Sequence, residues 1–407
     1  MALLGALAFV VALLVSVMLH EAGHFFTARR YGMKATQFFV GFGPTLYSRT
    51  RGETEYGIKA IPAGGFVKIV GMTSLEELEP GDEDRAFYKQ PAGRRAVVLA
   101  AGSFVHFCLA VLLVFGVTFA VGVVDQDAAV VAAPQECVLL AVPATAADVP
   151  ACGTAGTVPA PAVAAGLRDG DRVLSVGGTR TGSWDEVVAA IRDAPGRAVP
   201  VVVERDGAER TLTVTPVAVQ RPALDDETRT ETVGAIGAGR ALVTERLGPV
   251  ASAQESVDRL GMIVEGTWIS LTRKLGTVTQ LYGDDRDPRG LVGAVGAARV
   301  SGDILGATQI PFAVRVSDFL LLMAGLNLFV GVFNLLPLLP LDGGHLAVLG
   351  FEQVRDRVRR VFGYRGALQR VDLTKLLPLT YMVVLLFVGL TLFIAGADIV
   401  NPITLDS

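Results

Sequence analysis

Four stretches of the chain are uncharged and strongly apolar, and each is long enough to cross the roughly 30 Å of hydrocarbon in a bilayer. They cover residues 2–19, 96–124, 319–341 and 376–397, and the first continues as a helix past residue 19. Residues 36–71 instead alternate with a period near two, as strands do. The pattern predicts a polytopic α-helical membrane protein with four transmembrane helices in two pairs, at 1–125 and 318–407.

The composition agrees with a membrane protein. Hydrophobic residues make up 51% of the 407, only 19% are charged, and the mean hydropathy is +0.49. These values are too apolar for an ordinary soluble domain, so the lipid bilayer is the expected surrounding. The formal net charge of −4 provides no general basic character, which excludes nucleic acid as an expected partner.

Basic residues are concentrated in two of the connections between the apolar stretches. The first connection carries eleven Lys and Arg, and the short third connection carries seven. Positively charged connections remain on the cytoplasmic side, so both are expected there. The N-terminus, the C-terminus and the long segment 125–317 are then expected outside, in a multi-pass protein of the bacterial plasma membrane. The first stretch has no basic residue before it and is followed by Arg29 and Arg30, which favours a retained anchor over a cleaved signal peptide.

Two segments outside the apolar stretches have β character. Residues 45–49 and 54–61 flank a turn at Gly52 and predict a β-hairpin within about 36–71, on the cytoplasmic side and near the membrane. Residues 126–220 combine short strand-like runs with a helix near Trp184 and a strong hairpin turn at Asp206-Gly207. They predict an inserted extracytoplasmic α+β domain with an irregular insertion at 132–161.

This inserted domain resembles a bacterial PDZ domain. The resemblance is carried by Gly166-Leu167-Arg168-Asp169-Gly170-Asp171-Arg172-Val173-Leu174-Ser175-Val176. PDZ domains bind peptide tails by adding a strand to a sheet edge, whereas a small β-rich domain that only spaces or shields is the alternative. Cys137 and Cys152 bracket the irregular insertion and are a possible disulfide, with two unpaired thiols as the alternative.

The remaining exterior segment, 221–317, is predicted to be a linker that contains one long amphipathic helix at about 250–281. Its apolar residues recur every three or four positions, beginning at Val250 and Val257. Packing of this helix on the membrane surface or on the PDZ-like domain is the ordinary interpretation, and a gating helix is the sharper one.

A metal-binding motif lies inside the first apolar helix. His20 and His24 are four residues apart, so they share one helix face and can bind a single zinc ion. Glu21 is placed to take a proton from an attacking water. Ionisable residues are costly in a membrane helix and usually mark function. The motif therefore predicts a zinc hydrolase with its active site in the bilayer.

A catalytic zinc ion normally has three protein ligands, so one more ligand is required. Asp342 is the predicted third ligand, because the prolines before it break the helix and the glycines after it allow a close turn. The first and third apolar stretches are expected to run in the same direction, which brings the two motifs to similar depth in the cytoplasmic half of the membrane. His106 is the weaker alternative ligand, since a membrane histidine often bonds another helix.

Three other polar residues near the predicted site have less definite roles. His345 is expected either to orient Asp342 or to face the cytoplasm. Asn327 and Asn334 are seven residues apart on the third span and so lie near one face. Both are candidates for binding the substrate backbone or an oxyanion, and helix packing is the alternative.

The combination of His20-Glu21-Ala22-Gly23-His24, an intramembrane Asp342-Gly343, four spans and a PDZ-like insert resembles the site-2 protease family of intramembrane zinc metalloproteases. Its single PDZ-like domain is most similar to actinobacterial members of the bacterial branch that cleaves anti-sigma factors. The resemblance implies that His20, His24 and Asp342 bind Zn²⁺ and that Glu21 is the catalytic base. It also implies that the hairpin pairs with the substrate.

The expected function is therefore the second cut in regulated intramembrane proteolysis. The implied partner is a single-span membrane protein already shortened outside, by family analogy an anti-sigma factor; the oligomeric state is not predicted. A membrane-anchored PDZ scaffold with a vestigial metal site is one alternative, although all four motif residues are present. A zinc transporter is another, but transporters usually contain internal repeats and the sequence has none. A metalloprotease acting on soluble substrates would need a soluble catalytic domain, which is not evident.

Overall fold

A computed structural model describes residues 2–72, 78–125, 127–143, 149–223, 229–272, 278, 280–283, 286, 291–364 and 371–403. The chain divides into two compact units. The first combines Met1–Ala120 with Leu247–Ser407, and the second is Val121–Arg246. The second unit is thus an insertion between two halves of the first.

Helices predominate in the first unit, and short strands outnumber helices in the described part of the second. The helices are α1 (Ala2–Arg30), α2 (Ala92–Ala120), α3 (Pro161–Ala164), α4 (Trp184–Arg192), α5 (Pro249–Thr272), α6 (Ala294–Gly306), α7 (Phe312–Asn334), α8 (Asp342–Val361) and α9 (Leu377–Val400). The strands are β1 (Ala35–Arg51), β2 (Thr54–Ile69), β3 (Val123–Val124), β4 (Cys137–Leu139), β5 (Thr157–Pro159), β6 (Arg172–Val176), β7 (Thr179–Arg180), β8 (Val199–Arg205), β9 (Ala208–Val214), β10 (Val217–Pro222), β11 (Thr230–Ala235) and β12 (Thr244–Glu245).

Within the described residues, four helices of the first unit are long and apolar enough to cross a membrane, as the sequence predicts: α1, α2, α7 and α9. Two of them end earlier than predicted. The helix α7 ends at Asn334 rather than at residue 341, because Pro337 and Pro340 have no amide hydrogen to continue a helix. The helix α2 ends at Ala120 rather than at residue 124, since Gly122 takes a positive φ of 97° and the chain enters β3.

The strands β1 and β2 form a sheet that is bent on itself. Phe38 pairs with both Val67 and Tyr56, so the first part of β1 has a neighbouring strand on each side. The two strands are longer than the predicted pair at 45–49 and 54–61, because Gly41 and Gly43 have positive φ and turn the chain where the alternating pattern is interrupted. The last part of β2, residues 65–69, forms an edge of this sheet.

Two further helices of the first unit pack on spans through small residues. Helix α5 lies against α2, where Thr118 Oγ1 is 3.1 Å from Ser256 Oγ. The prediction placed this helix on the membrane surface or on the inserted domain, and its predicted continuation from 273 to 281 lies largely outside the described residues. Helix α6, within the predicted linker, packs against α1 so closely that a Cβ on Gly5 would lie 2.7 Å from the Ser301 carbonyl oxygen.

The second unit contains a four-stranded sheet in the order β7-β6-β8-β9. Its core includes Val173, Val187, Val201 and Val203, which the sheet and α4 bury between them. The turn at Asp206-Gly207 joins β8 to β9, with positive φ at both residues. The unit is wider than the predicted 126–220, because β11 pairs with β10 and β12 pairs with β3.

The irregular insertion of the second unit carries a disulfide between Cys137 and Cys152, whose Cα atoms are 5.6 Å apart. Its strand β4 pairs with β5. A Cβ on Gly237 would lie 2.9 Å from Val138 Cγ2, so this hairpin packs tightly on the chain that follows β11.

A buried ion pair in the same unit joins the turn before β6 to the end of β8. The carboxylate of Asp171 is fully buried, accepts from Arg205 Nε and Nη2 at 2.6 Å each, and accepts from the Arg168 amide at 2.9 Å. Burial alone would raise the pKa of the Asp171 carboxyl, but the hydrogen bonds from Arg205 and from the Arg168 amide hold that pKa below its ordinary value.

Substituting Asp171 by Asn is expected to loosen this sheet at neutral pH but not in acid. Because the folded-state pKa of Asp171 is lowered, its stabilising effect is complete above the unfolded pKa of about 3.9 and is lost as the pH falls through the folded-state value. We expect the amides of Val173 and Val203 to exchange roughly tenfold faster than wild type at pH 7, with a shrinking difference below about pH 4. Asp169→Asn, in the same turn and exposed, is the control. A difference independent of pH would contradict this assignment.

Candidate metal centre and active site

The histidine pair lies on one face of α1 and points into the first unit. His20 and His24 are both buried, and their Nε2 atoms are 3.1 Å apart. His24 Nδ1 donates a hydrogen bond of 2.7 Å to the Val98 carbonyl oxygen, which leaves Nε2 available as a ligand. The four-residue spacing on α1 thus places the two Nε2 atoms side by side, and the Val98 carbonyl of α2 orients the ring of His24.

Asp342 is the first residue of α8 and reaches the histidine pair from a separate part of the chain. Its Oδ2 lies 3.4 Å from His20 Nε2 and 3.3 Å from His24 Nε2. The turn that presents it requires glycine, since a Cβ on Gly343 would lie 2.2 Å from the carbonyl carbon of Leu335. The structure therefore brings together the three residues predicted as ligands.

The spacing of these three atoms fits a tetrahedral zinc ion. Donors about 2.0–2.1 Å from a tetrahedral metal lie about 3.3 Å from each other. The observed separations are 3.1, 3.3 and 3.4 Å. Asp342 Oδ2 is also buried and has no hydrogen-bond partner among the described residues, which is costly unless a cation satisfies it. Two imidazoles and one carboxylate are a donor set that zinc prefers, so the residues fit the metal.

Gly102 of α2 forms the wall against which the histidines lie. A Cβ at this position would be 2.4 Å from His20 Cε1 and 2.5 Å from His24 Nε2. Only a residue without a side chain fits there. The sequence analysis did not identify Gly102, and the only signal was one small residue among several in an apolar helix.

Glu21 lies beside the ligands and contacts the bent sheet. Its Oε2 accepts a hydrogen bond of 3.1 Å from the amide of Val67, in the edge segment 65–69 of β2. The residue predicted to be the base is therefore connected to the sheet predicted to hold the substrate. The contact with Val67 is a feature that the sequence analysis did not find.

Asn327 lies in a buried polar cluster behind the ligands. Its Oδ1 accepts from Ser16 Oγ and from His106 Nδ1, the latter at 2.8 Å, and its Nδ2 donates to the Met323 carbonyl at 2.8 Å. The cluster joins α1, α2 and α7, which favours the packing interpretation of Asn327 over a role in substrate binding. His106 lies against His20, with ring centroids 4.9 Å apart and the ring planes tilted by 39°, and is not among the grouped ligand atoms.

The positions of the other two predicted polar residues, Asn334 and His345, do not establish a functional role for either. Asn334 is the last residue of α7 and is only partly buried, so its role in substrate binding stays a prediction. His345 is in the first turn of α8, and the described residues show no hydrogen bond between it and Asp342. The structure gives no support for an orienting role of His345.

Comparison with known proteins places the chain in a family. The model of peptidase family M50 matches residues 8–377. Zinc metalloprotease Rip1 of Mycobacterium tuberculosis is 40% identical over 415 residues, which cover 98% of each chain. Zinc metalloprotease Rip1 of Mycolicibacterium smegmatis is 36% identical and covers 99% of this chain and 98% of its own. The regulator of sigma-E protease RseP of Salmonella typhimurium is 27% identical and covers 88% of this chain and 93% of its own. The predicted resemblance is confirmed, and this chain belongs to peptidase family M50, the site-2 protease family of zinc metalloproteases.

Proposed function

We propose that this protein hydrolyses a peptide bond within or near the transmembrane helix of a single-span membrane protein. The observation that carries the proposal is the grouping of the buried His20 and His24 with the partly buried Asp342, with Glu21 beside them, among four membrane-length apolar helices. A site that lies among membrane-spanning helices can act on a substrate that is itself in the membrane.

The chemistry divides between the metal and the chain. His20 Nε2, His24 Nε2 and Asp342 Oδ2 would hold the zinc ion, which when bound supplies a Lewis acid for the scissile carbonyl and the attacking water. Glu21 accepts a proton from that water on its carboxylate and donates it to the departing amine nitrogen. Gly102, which has no side chain, leaves room on α2 for the two histidine rings.

The bent sheet supplies a surface for an unwound substrate. A transmembrane helix engages its carbonyl groups in hydrogen bonds, so the helix must open before attack. Residues 65–69 of β2 form an edge that borders Glu21 through Val67. An extended substrate segment that pairs with this edge would lie next to the proposed base.

The second unit is proposed to be a PDZ-like domain outside the membrane. A groove between α4 and β11 is lined by Val187, Ile191 and Val233. A Cβ on Gly234 would lie 2.2 Å from the Ile191 carbonyl oxygen, so helix and strand already touch where a peptide strand would be added. This contact supports a size filter for substrates over a reader of exposed peptide tails.

Location and partner are proposed on sequence grounds and by analogy. The basic first and third connections support a plasma-membrane protein with both termini and the second unit outside, and with the active site in the cytoplasmic half of the membrane. One relative is named a regulator of sigma-E protease, which supports an anti-sigma factor as substrate.

The test is cleavage in a reconstituted bilayer. Purified full-length protein should cut single-span proteins whose exterior domains have been shortened, with the new ends mapped by mass spectrometry to the membrane segment. A chelator should abolish cleavage, and added Zn²⁺ should restore it. Undiminished cleavage in chelator would overturn the metal mechanism, and cuts confined to soluble segments would overturn the proposed substrate class.

A further inference from the structure

One side chain of α1 occupies the edge of the bent sheet that faces this helix. The Val67 amide donates to Glu21 Oε2 at 3.1 Å. Two residues earlier on the same strand, a Cβ on Gly65 would lie 2.3 Å from Met18 Sδ, so Met18 packs on the face of the sheet at Gly65. Met18 and Glu21 are three residues apart and therefore share a helix face.

Met18 packs on the face of the sheet, whereas Glu21 accepts a hydrogen bond at its edge. A substrate strand added to this edge needs amide donors for its carbonyl oxygens. The Val67 N–H is such a donor. It now donates a hydrogen bond to a carboxylate oxygen of Glu21, as it would to a substrate carbonyl oxygen. Glu21 and the substrate thus compete for one hydrogen bond.

We propose that Glu21 and the Val67 amide form a latch that substrate binding opens. The entering strand takes the Val67 N–H onto one of its carbonyl oxygens, and the Glu21 carboxylate is released next to the scissile bond to act as the base. The Val67 amide is thus a positioning group that restrains the base until the edge is filled.

This inference deepens the proposed function and rests on it for the identity of the substrate. It predicts that the carboxylate of Glu21 opposes binding of the extended segment while it is needed for cleavage. Binding and catalysis must therefore respond in opposite directions to loss of the Glu21 side chain.

Two variants that lack the base separate these effects. Glu21→Gln keeps an oxygen that can accept from Val67, whereas Glu21→Ala removes it. The probe is a fluorescent single-span peptide of about 20 leucine and alanine residues with a central Gly-Gly pair, bound by zinc-loaded full-length protein in nanodiscs. We expect Glu21→Ala to bind this peptide about tenfold more tightly than Glu21→Gln, and we expect that difference to vanish when Val67→Pro removes the amide proton. Proline is tolerated on an edge strand whose N–H points away from its partner.

A second measurement does not depend on the proline variant or on the peptide. Hydrogen exchange of the Val67 amide, without substrate, should be about tenfold faster in Glu21→Ala than in Glu21→Gln. Equal exchange in the two variants, or a binding difference that persists in Val67→Pro, would overturn the latch. Wild-type cleavage is measured alongside. If wild type cleaves and the latch measurements fail, the proposed function stands without the latch; if wild type does not cleave, the proposed function fails, and Val67 exchange still reports the latch contact.

Discussion

Replacing Glu21 by Gln is expected to slow peptide-bond cleavage by about 10²–10⁴-fold while the protein retains its zinc. The amide has nearly the shape of the carboxylate and can still accept from Val67, but it cannot take a proton from water. The ligand atoms of His20, His24 and Asp342 are untouched by the change. Cleavage of a shortened single-span substrate and zinc content by mass spectrometry are measured on the same preparation.

The matched control for this substitution is Glu55→Gln. Glu55 lies on the same bent sheet, and its Oε2 accepts from Gln37 Nε2 at 3.3 Å, away from the grouped ligands. Its substitution should leave cleavage near the wild-type rate. If Glu21→Gln cleaved as fast as Glu55→Gln, Glu21 would not be the base.

The substitution Gly102→Ala is expected to weaken zinc binding by about 100-fold or more, although Gly102 donates no ligand. The added methyl group would overlap both histidine rings, at 2.4 Å from His20 Cε1 and 2.5 Å from His24 Nε2. The rings can escape only by rotating away from Asp342, which separates the three donors. Competition titration with a chromogenic chelator measures the zinc affinity, and cleavage should fall with zinc occupancy.

Gly116→Ala is the control on the same helix. No heavy atom lies within 4 Å of the Cβ that it would add, and alanine gains about 1 kcal/mol of helix propensity over glycine at either position. A general effect of alanine on α2 would alter both variants alike. If Gly102→Ala bound zinc with wild-type affinity, the helix and the histidine rings would have accommodated the methyl group. The proposal that zinc binding requires glycine at position 102 would then be wrong.

The sequence was sufficient to predict the three residues that the structure groups. His20 and His24 follow from the helix period, and Asp342 follows from the direction of the spans and the need for a third ligand. Such inferences rest on chemically distinctive side chains with a definite spacing. Gly102 has no side chain, so its role exists only where another helix lies against it, and a single sequence carries no trace of that contact.

The fold was predicted where its pattern is regular and missed where it is not. The four predicted spans are long apolar runs, and the described residues contain four helices of the required length and composition. The bent sheet was predicted as a simple hairpin, since a sequence cannot show that Phe38 has partners on both sides. Helix α6 buries small residues such as Gly296 and Gly302, and small residues do not mark the packing face of a helix in the sequence as large apolar residues do.

Asn327 shows a different limit of sequence reasoning. From its position on the third span, both helix packing and substrate binding were open roles for Asn327. Its partners Ser16 and His106 come from two other helices, and neither is close to it in the sequence. A polar residue in a membrane helix predicts that a hydrogen-bond partner exists, but the sequence does not identify that partner.

The three predicted zinc ligands come from two distant parts of the chain, which affects the order in which the site is assembled during synthesis. Asp342 follows His24 by more than three-quarters of the sequence, with the whole second unit between them. At the usual pace of translation this interval lasts roughly 15–60 s. During that time the newly inserted first helix carries the histidines and Glu21 without their third ligand. We therefore expect a nascent copy to be inactive until Asp342, which follows the third apolar helix, has been made, and a copy truncated before Asp342 to remain inactive.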